Sequence, residues 1–131
     1  MRNRFKDKIV IVTGAGSGIG QRTAERFSEE GAKVVIAELD KNTGKQVEKK
    51  INNNNAKAIF IETDVAEYNS VQEMVKNTVK EFGSPDILIN NAGINVFSEP
   101  LKMTESEWKR AFSVDLDGVW NGCKAVLPHM L

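Results

Sequence analysis

Glycine recurs at positions 14, 16, 18 and 20 in the stretch Thr13-Gly14-Ala15-Gly16-Ser17-Gly18-Ile19-Gly20. A turn of this kind does chemistry in one setting. When a buried strand runs into it and a helix leaves it, free backbone N–H groups and the positive helix end converge on one point. The missing side chains then let a diphosphate reach the main chain. Both flanks are present: Lys8 to Val12 reads as a buried strand, and Gln21 to Glu30 as a helix with Ala24 and Phe27 on one face and Gly31 as its stop. Gly14, Ser17, Gly18, Ile19 and Gly20 form the predicted phosphate cradle; the plainer alternative is a turn that only reverses the chain.

A carboxylate follows at a useful distance. Glu38 stands at the predicted end of the second strand, eighteen residues beyond Gly20. There it can accept both hydroxyls of an adenosine ribose and repel a 2′-phosphate. The neighbours best placed to meet such a phosphate, Ser17 and Leu39, are uncharged, so the residues favour NAD over NADP. The competing readings are a strand-end charge facing water, or Asp40 in the same role. Asp64-Val65, after the third strand, offers either an acceptor for the exocyclic amino group of adenine or an ordinary Asp turn. Asn90-Asn91-Ala92-Gly93, after the fourth, gives a tight backbone path beside a ligand or simply a turn. The single His129 has no Ser or Cys partner in a nucleophile pattern and is expected at the surface. No His, Cys and carboxylate spacing suits a metal.

These residues need a scaffold that gathers strand ends. Strand and helix signals alternate: Lys33 to Glu38 as strand two, Lys41 to about Ile51 as a helix, and Asn52 to Asn55 as a polar loop. Ala58 to Glu62 follows as strand three, Glu67 to about Phe82 as a helix, and Asp86 to Asn90 as strand four. The strands are near-continuous β-branched runs, which suits parallel strands covered on both faces. Right-handed crossovers then predict an α/β fold, a Rossmann-type doubly wound parallel sheet with order 3-2-1-4 in the part present. Thr104 and Glu107 make a capping box that opens one long final helix. Trp108, Phe112, Leu116, Val119, Cys123 and Leu127 step along it at threes and fours and are expected to pack, with Pro128 near its end.

Composition narrows the class. At 131 residues and 40% hydrophobic the chain can build one domain with a real core, spanning residues 1–131. Eighteen basic residues balance eighteen acidic ones, so no basic field invites nucleic acid or anionic lipid. No apolar run approaches membrane-spanning length, and the basic start from Met1 to Lys8 leads into strand one without a cleavage-site pattern. Cys123 is the only cysteine, which rules out an internal disulfide and points to a reducing cytoplasm.

Together the motifs resemble the short-chain dehydrogenase/reductase family. Its TGxxxGxG pattern is matched by Thr13 to Gly20, its acidic NAD selector by Glu38, its Asp-Val adenine contact by Asp64-Val65, and its NNAG turn by Asn90 to Gly93. The three-residue gap between Gly14 and Gly18 differs from the shorter gap of the extended, epimerase-type branch. The resemblance implies that Asn91 and Gly93 border the cofactor, that the last helix forms a subunit interface in a homo-oligomer, and that the substrate is a small alcohol or ketone such as a sugar, polyol, steroid or hydroxyacyl group. It also implies a catalytic serine and a Tyr-x-x-x-Lys pair on elements that this sequence does not contain. The only tyrosine, Tyr68, is followed four residues later by Gln72. Without the tyrosine and lysine no base is activated for the alcohol proton, so the 131 residues alone are expected to be inactive, the N-terminal part of a longer enzyme. Asp115 stands where the family has an asparagine that helps hold a relay water; a buried carboxylate there could instead join the relay with a raised pKa. The alternative function is a non-catalytic module that binds NAD or AMP without turnover. A methyltransferase on a related sheet would also use a glycine turn and an acidic strand end, but has no use for Asn90 to Gly93.

Overall fold

The computed structural model describes residues 3–131; Met1 and Arg2, the start of the basic segment before strand one, lie outside the described residues. Four strands, β1 (Ile9–Thr13), β2 (Lys33–Glu38), β3 (Lys57–Glu62) and β4 (Ile87–Ile89), form one parallel sheet in the order β3-β2-β1-β4. Helices α1 (Gly18–Glu29), α2 (Lys41–Asn52) and α3 (Tyr68–Glu81) make the crossovers, and α4 (Glu105–Asp115) and α5 (Asp117–Met130) follow β4. Val10 pairs with Val34 on one side and Ile87 on the other, and Val35 pairs with Ile59.

The continuous apolar strands have a simple cause: alternate side chains enter two different cores. Val10, Val12, Val34 and Ile36 join Ala24, Val47 and Ile51 of α1 and α2 on one face. Ile11, Val35 and Ala37 join Val71, Met74 and Val75 of α3, with Ala125 and Val126 of α5, on the other. The expected fold and strand order are therefore found.

The two sheet edges differ. Along β3, Asn52 donates to the Ala58 carbonyl (3.0 Å) and accepts from the Ala58 amide (2.8 Å), while Glu48 Oε2 accepts from the Phe60 amide at 2.5 Å. Side chains of α2 thus consume groups that another strand would need. On β4, Ile87, Leu88 and Ile89 are each only partly buried. β4 is also shorter than Asp86 to Asn90. Before it, the Asp86 carboxylate takes the Ile9 amide (2.9 Å); after it, the Asn91 amide turns to the Thr13 hydroxyl (3.0 Å) instead of a strand carbonyl.

Three further expectations are corrected. α1 starts at Gly18, so the last glycines of the loop form its first turn; apolar periodicity, which begins at Ala24, is silent there. The final helix is broken at Leu116 (φ −111°, ψ −59°), although its capping box is present. And the apolar residues expected to pack do not enter the core: Trp108, Phe112, Leu116, Val119, Cys123 and Leu127 are exposed, Leu116 by 59%. The stripe that faces the sheet is the small one, Gly118, Asn121, Gly122, Ala125 and Val126. A Cβ on Gly122 would collide with the Asn90 side-chain oxygen, and one on Gly118 would lie 2.8 Å from Val65 Cγ2. Helical periodicity cannot say which of two stripes turns inward; here close approach of the backbones decides it.

At the opposite end of the sheet from the glycine loop, a 720 Å³ hollow is lined by charged residues including Arg22, Glu25, Glu29 and Lys50. These four charges pair with one another (Lys50–Glu25 2.8 Å, Arg22–Glu29 2.9 Å). The Lys50 ammonium holds the Glu25 carboxyl below its usual range, Arg22 does the same for Glu29, and Arg4 for Glu30. Depressed carboxyl pKa values contribute stability above the ordinary value of about 4.3, lost as pH falls through the lowered ones. Replacing Lys50 with Met is expected to move the acid-unfolding midpoint, followed by circular dichroism, to higher pH, while costing less than about 1 kcal/mol at neutral pH.

Candidate functional site

The C-terminal ends of β1, β2, β3 and β4 open into one crevice of about 460 Å³, within the usual range for ligand pockets. Gly14, Ser17, Gly18 and Ile19 line it from the β1–α1 turn, Glu38 and Leu39 from β2, Asp64 and Val65 from β3, and Asn91, Ala92 and Gly93 from β4. The structure thus gathers nearly all the residues singled out in the sequence. Gly20 lies just behind them as part of the turn's packing.

The turn is built around close approach. Gly14 has φ +63°, and a Cβ on it would lie 2.8 Å from Ala92 Cα. A Cβ on Gly20 would strike the Gly14 carbonyl and the Asn91 amide group. Gly18 (φ +55°) meets nothing within 4 Å, so the loop is open on the crevice side. Ser17, the N-cap of α1, makes no side-chain capping bond, and the first intrahelical partner is used by Gln21, whose N–H donates to Ser17 O. The amides of Gly18, Ile19 and Gly20 are left at the helix end without an intrahelical acceptor. The donor set, the open face and the helix dipole fit a diphosphate.

β1 and β4 are locked together beneath it. The Thr13 hydroxyl accepts from the amides of Asn91 and Ala92, both at 3.0 Å, and donates to Ile89 O at 3.4 Å. Asn91 Nδ2 donates in turn to Thr13 O (3.0 Å) and Gly14 O (3.2 Å). Sequence inspection places Asn91 beside a ligand; the structure adds that its amide group braces the loop. Thr13 is 2% exposed.

The carboxylates differ in use. Glu38 Oε1 accepts from Gly16 N (3.0 Å), and Oε2 from Leu39 N (2.7 Å) and Asp40 N (3.1 Å). Asp40, the competing candidate, caps α2 by accepting from the amides of Asn42 and Thr43 and does not line the crevice. Asp64 Oδ1 accepts from Ala66 N at 3.0 Å, an Asx turn, while the residue still borders the crevice. Asp115 Oδ1 accepts from Ile94 N at 2.8 Å, and the residue is exposed, so the burial considered for it is absent. Tyr68 lies in another groove with the Lys124 ammonium 4.8 Å from its ring centroid, and His129 is exposed as expected. Among the described residues no His, Cys, Asp and Glu group could hold a metal.

Two contributors escape sequence reasoning. Arg110 of α4 lines the crevice, where it is the one cation among the described residues. Asn121, buried on α5, donates to Val65 O at 2.8 Å and fixes the loop after β3. A polar residue on the inward, small-residue stripe was the available signal for Asn121; nothing marked Arg110.

A fold of this order with a glycine turn at the first strand end defines a class, and the comparisons agree with it. The chain belongs to the short chain dehydrogenase family, whose profile matches residues 8–131. It is 39% identical over 128 residues to meso-2,3-butanediol dehydrogenase of Serratia marcescens, covering 98% of this chain and 50% of that protein. It is 42% identical over 129 residues to the short chain dehydrogenase/reductase astE of Aspergillus oryzae, covering 97% and 49%. Among solved structures, a short chain dehydrogenase/reductase from Burkholderia phymatum in complex with NAD superposes with a TM-score of 0.94 at 31% identity, over 97% of this chain and 45% of that one. The chain spans about half the length of the curated relatives it matches.

Replacing Thr13 with Val keeps the shape and strands the amides of Asn91 and Ala92. Chemical denaturation is expected to show a loss of roughly 2–4 kcal/mol, with Thr13→Ser near wild type.

Proposed function

We propose that the crevice binds NAD and that the chain is the nucleotide-binding part of an oxidoreductase acting on a secondary alcohol or ketone. The observation that carries this is the open glycine loop with unclaimed amides at one end of a crevice and a carboxylate at the next strand end. The amides of Gly18, Ile19 and Gly20 hold the diphosphate, with Gly14 and Ser17 shaping the approach. Glu38 accepts from the adenosine ribose, and its charge disfavours a 2′-phosphate. Asp64, through the oxygen not used by Ala66, accepts from the adenine amino group, and Val65 packs beside the ring. Asn91 and Gly93 border the path toward the nicotinamide end. Bound there, NAD supplies a hydride acceptor, and in reduced form a donor, for interconversion of the alcohol and the ketone.

The groups that handle the substrate proton are proposed to lie outside residues 1–131, so this chain alone turns nothing over. Two observations support the division. The relatives are about twice as long, and β4 has an edge left open while the β3 edge is closed by α2. Asp115, with Oδ1 engaged by Ile94, has its second oxygen free to orient a relay water in the complete enzyme. The exposed stripe from Trp108 to Leu127 fits a contact between copies, so a homo-oligomer is part of the proposal. So is a cytoplasmic setting, on the lone cysteine; among the described residues no helix is long and apolar enough to cross a membrane.

The test is calorimetric titration of the purified chain with NADH and NADPH, beside an assay with NAD and a panel of secondary alcohols. Saturable NADH binding, at least about tenfold tighter than NADPH, without turnover is expected. Absence of NADH binding, or equal affinity for both, would overturn the cofactor assignment.

A further inference from the structure

Gly16 is not one of the three glycines that the TGxxxGxG pattern requires, yet it is buried and closely surrounded. A Cβ at this position would lie 2.6 Å from Glu38 Cγ, 2.7 Å from Glu38 Oε1 and 2.5 Å from Thr43 Oγ1. Two of these three contacts are the very side chain that reads the ribose in the proposal above. The same residue's N–H donates to Glu38 Oε1 at 3.0 Å.

The rest of the carboxylate's surroundings make this bond decisive. Glu38 Oε2 is held by two amides of its own strand end, Leu39 N and Asp40 N. Those bonds fix where the side chain begins its return, but they belong to its own segment. Among the described residues only Gly16 N ties the carboxylate to the phosphate loop, twenty-two positions away in the chain. A carboxylate has about four acceptor positions, and three are used here. The anchored group therefore keeps one position for a hydroxyl, while its charge stays beside the loop. Thr43, whose Oγ1 is bonded to Asp40 O (3.3 Å) in the first turn of α2, borders the same Cβ position of residue 16.

We propose that Gly16 is a positioning residue for cofactor choice: its bare Cα makes room for the Glu38 carboxylate and its N–H holds that carboxylate against the phosphate loop. The inference rests on the reading that the crevice takes NAD. Any side chain at position 16 displaces Glu38, moves the negative charge away from the ribose position, and lowers discrimination against a 2′-phosphate. Gly16 thus acts on selectivity through Glu38, not through the diphosphate.

The experiment is a double-mutant cycle on the full chain, with NADH and NADPH titrated into wild type, Gly16→Ala, Glu38→Ala and the double variant. Gly16→Ala is expected to reduce the NADH-to-NADPH affinity ratio by about tenfold or more, and to have little further effect on that ratio in the Glu38→Ala background. An unchanged ratio in Gly16→Ala, or an equal change with and without Glu38, overturns the proposal. Amide exchange gives a readout free of cofactor: the Gly16 N–H is expected to exchange about tenfold faster in Glu38→Ala, with Val34 to Ile36 unaffected. Equal exchange in both proteins overturns the proposal even if Gly16→Ala fails to fold. Wild type that binds NADH and NADPH alike, with the exchange effect intact, sinks the NAD reading and the selectivity role while showing that the tether exists.

Discussion

One hydroxyl group holds the crevice together. The Thr13 side chain has one proton to give and two lone pairs to offer, and all three are spent on the β4 end: Ile89 O, Asn91 N and Ala92 N. This exchange ends β4 after three residues, turns the chain away from the sheet, and brings Asn91 under the glycine loop. The open loop and the far wall of the crevice are consequently set by the same atom. A buried polar group so fully satisfied rigidifies its surroundings, and leaving it half satisfied would be worse than an apolar contact.

The glycine loop is a second level of the same construction. Gly14 and Gly20 are needed where backbone meets backbone, against Ala92 and against the Gly14 carbonyl itself. Gly18 faces empty space, the side from which a ligand would come. Close packing behind and openness in front are different demands on one short segment, and spacing alone does not reveal which glycine serves which. The Glu38 carboxylate joins this arrangement from β2, so three strand ends meet at one loop.

Much of this was legible in the sequence. The β-branched runs at Val10, Val34 and Ile59 announced parallel strands because both of their faces are covered, and Thr104 with Glu107 marked a helix start through local hydrogen bonds. Signals of this kind are complete within a few residues. The failures were tertiary. The outward stripe of Trp108, Phe112 and Leu127 looked like core because period alone carries no direction, and Gly118 and Gly122 outweighed it by letting α5 approach Val65 and Leu88. The break at Leu116 lies between two anchors, Asp115 on Ile94 and Gly118 on Val65, neither visible without the fold. Glu38 was identified by position, but its return to Gly16 depended on the exact path of the loop.

The pairing of β1 has a consequence for how the molecule is made. Val10 finds Val34 across a single βαβ unit, but must wait for Ile87, beyond two more helices and a strand, to complete its other side. Joining ends so far apart along the chain carries the larger entropic penalty, so this step comes late. Until it happens Thr13 has no amides to receive. The glycine loop can be spelled out by the ribosome early, yet it becomes a receptor only when β4 arrives, which makes ligand capture a signature of the β1–β4 pairing.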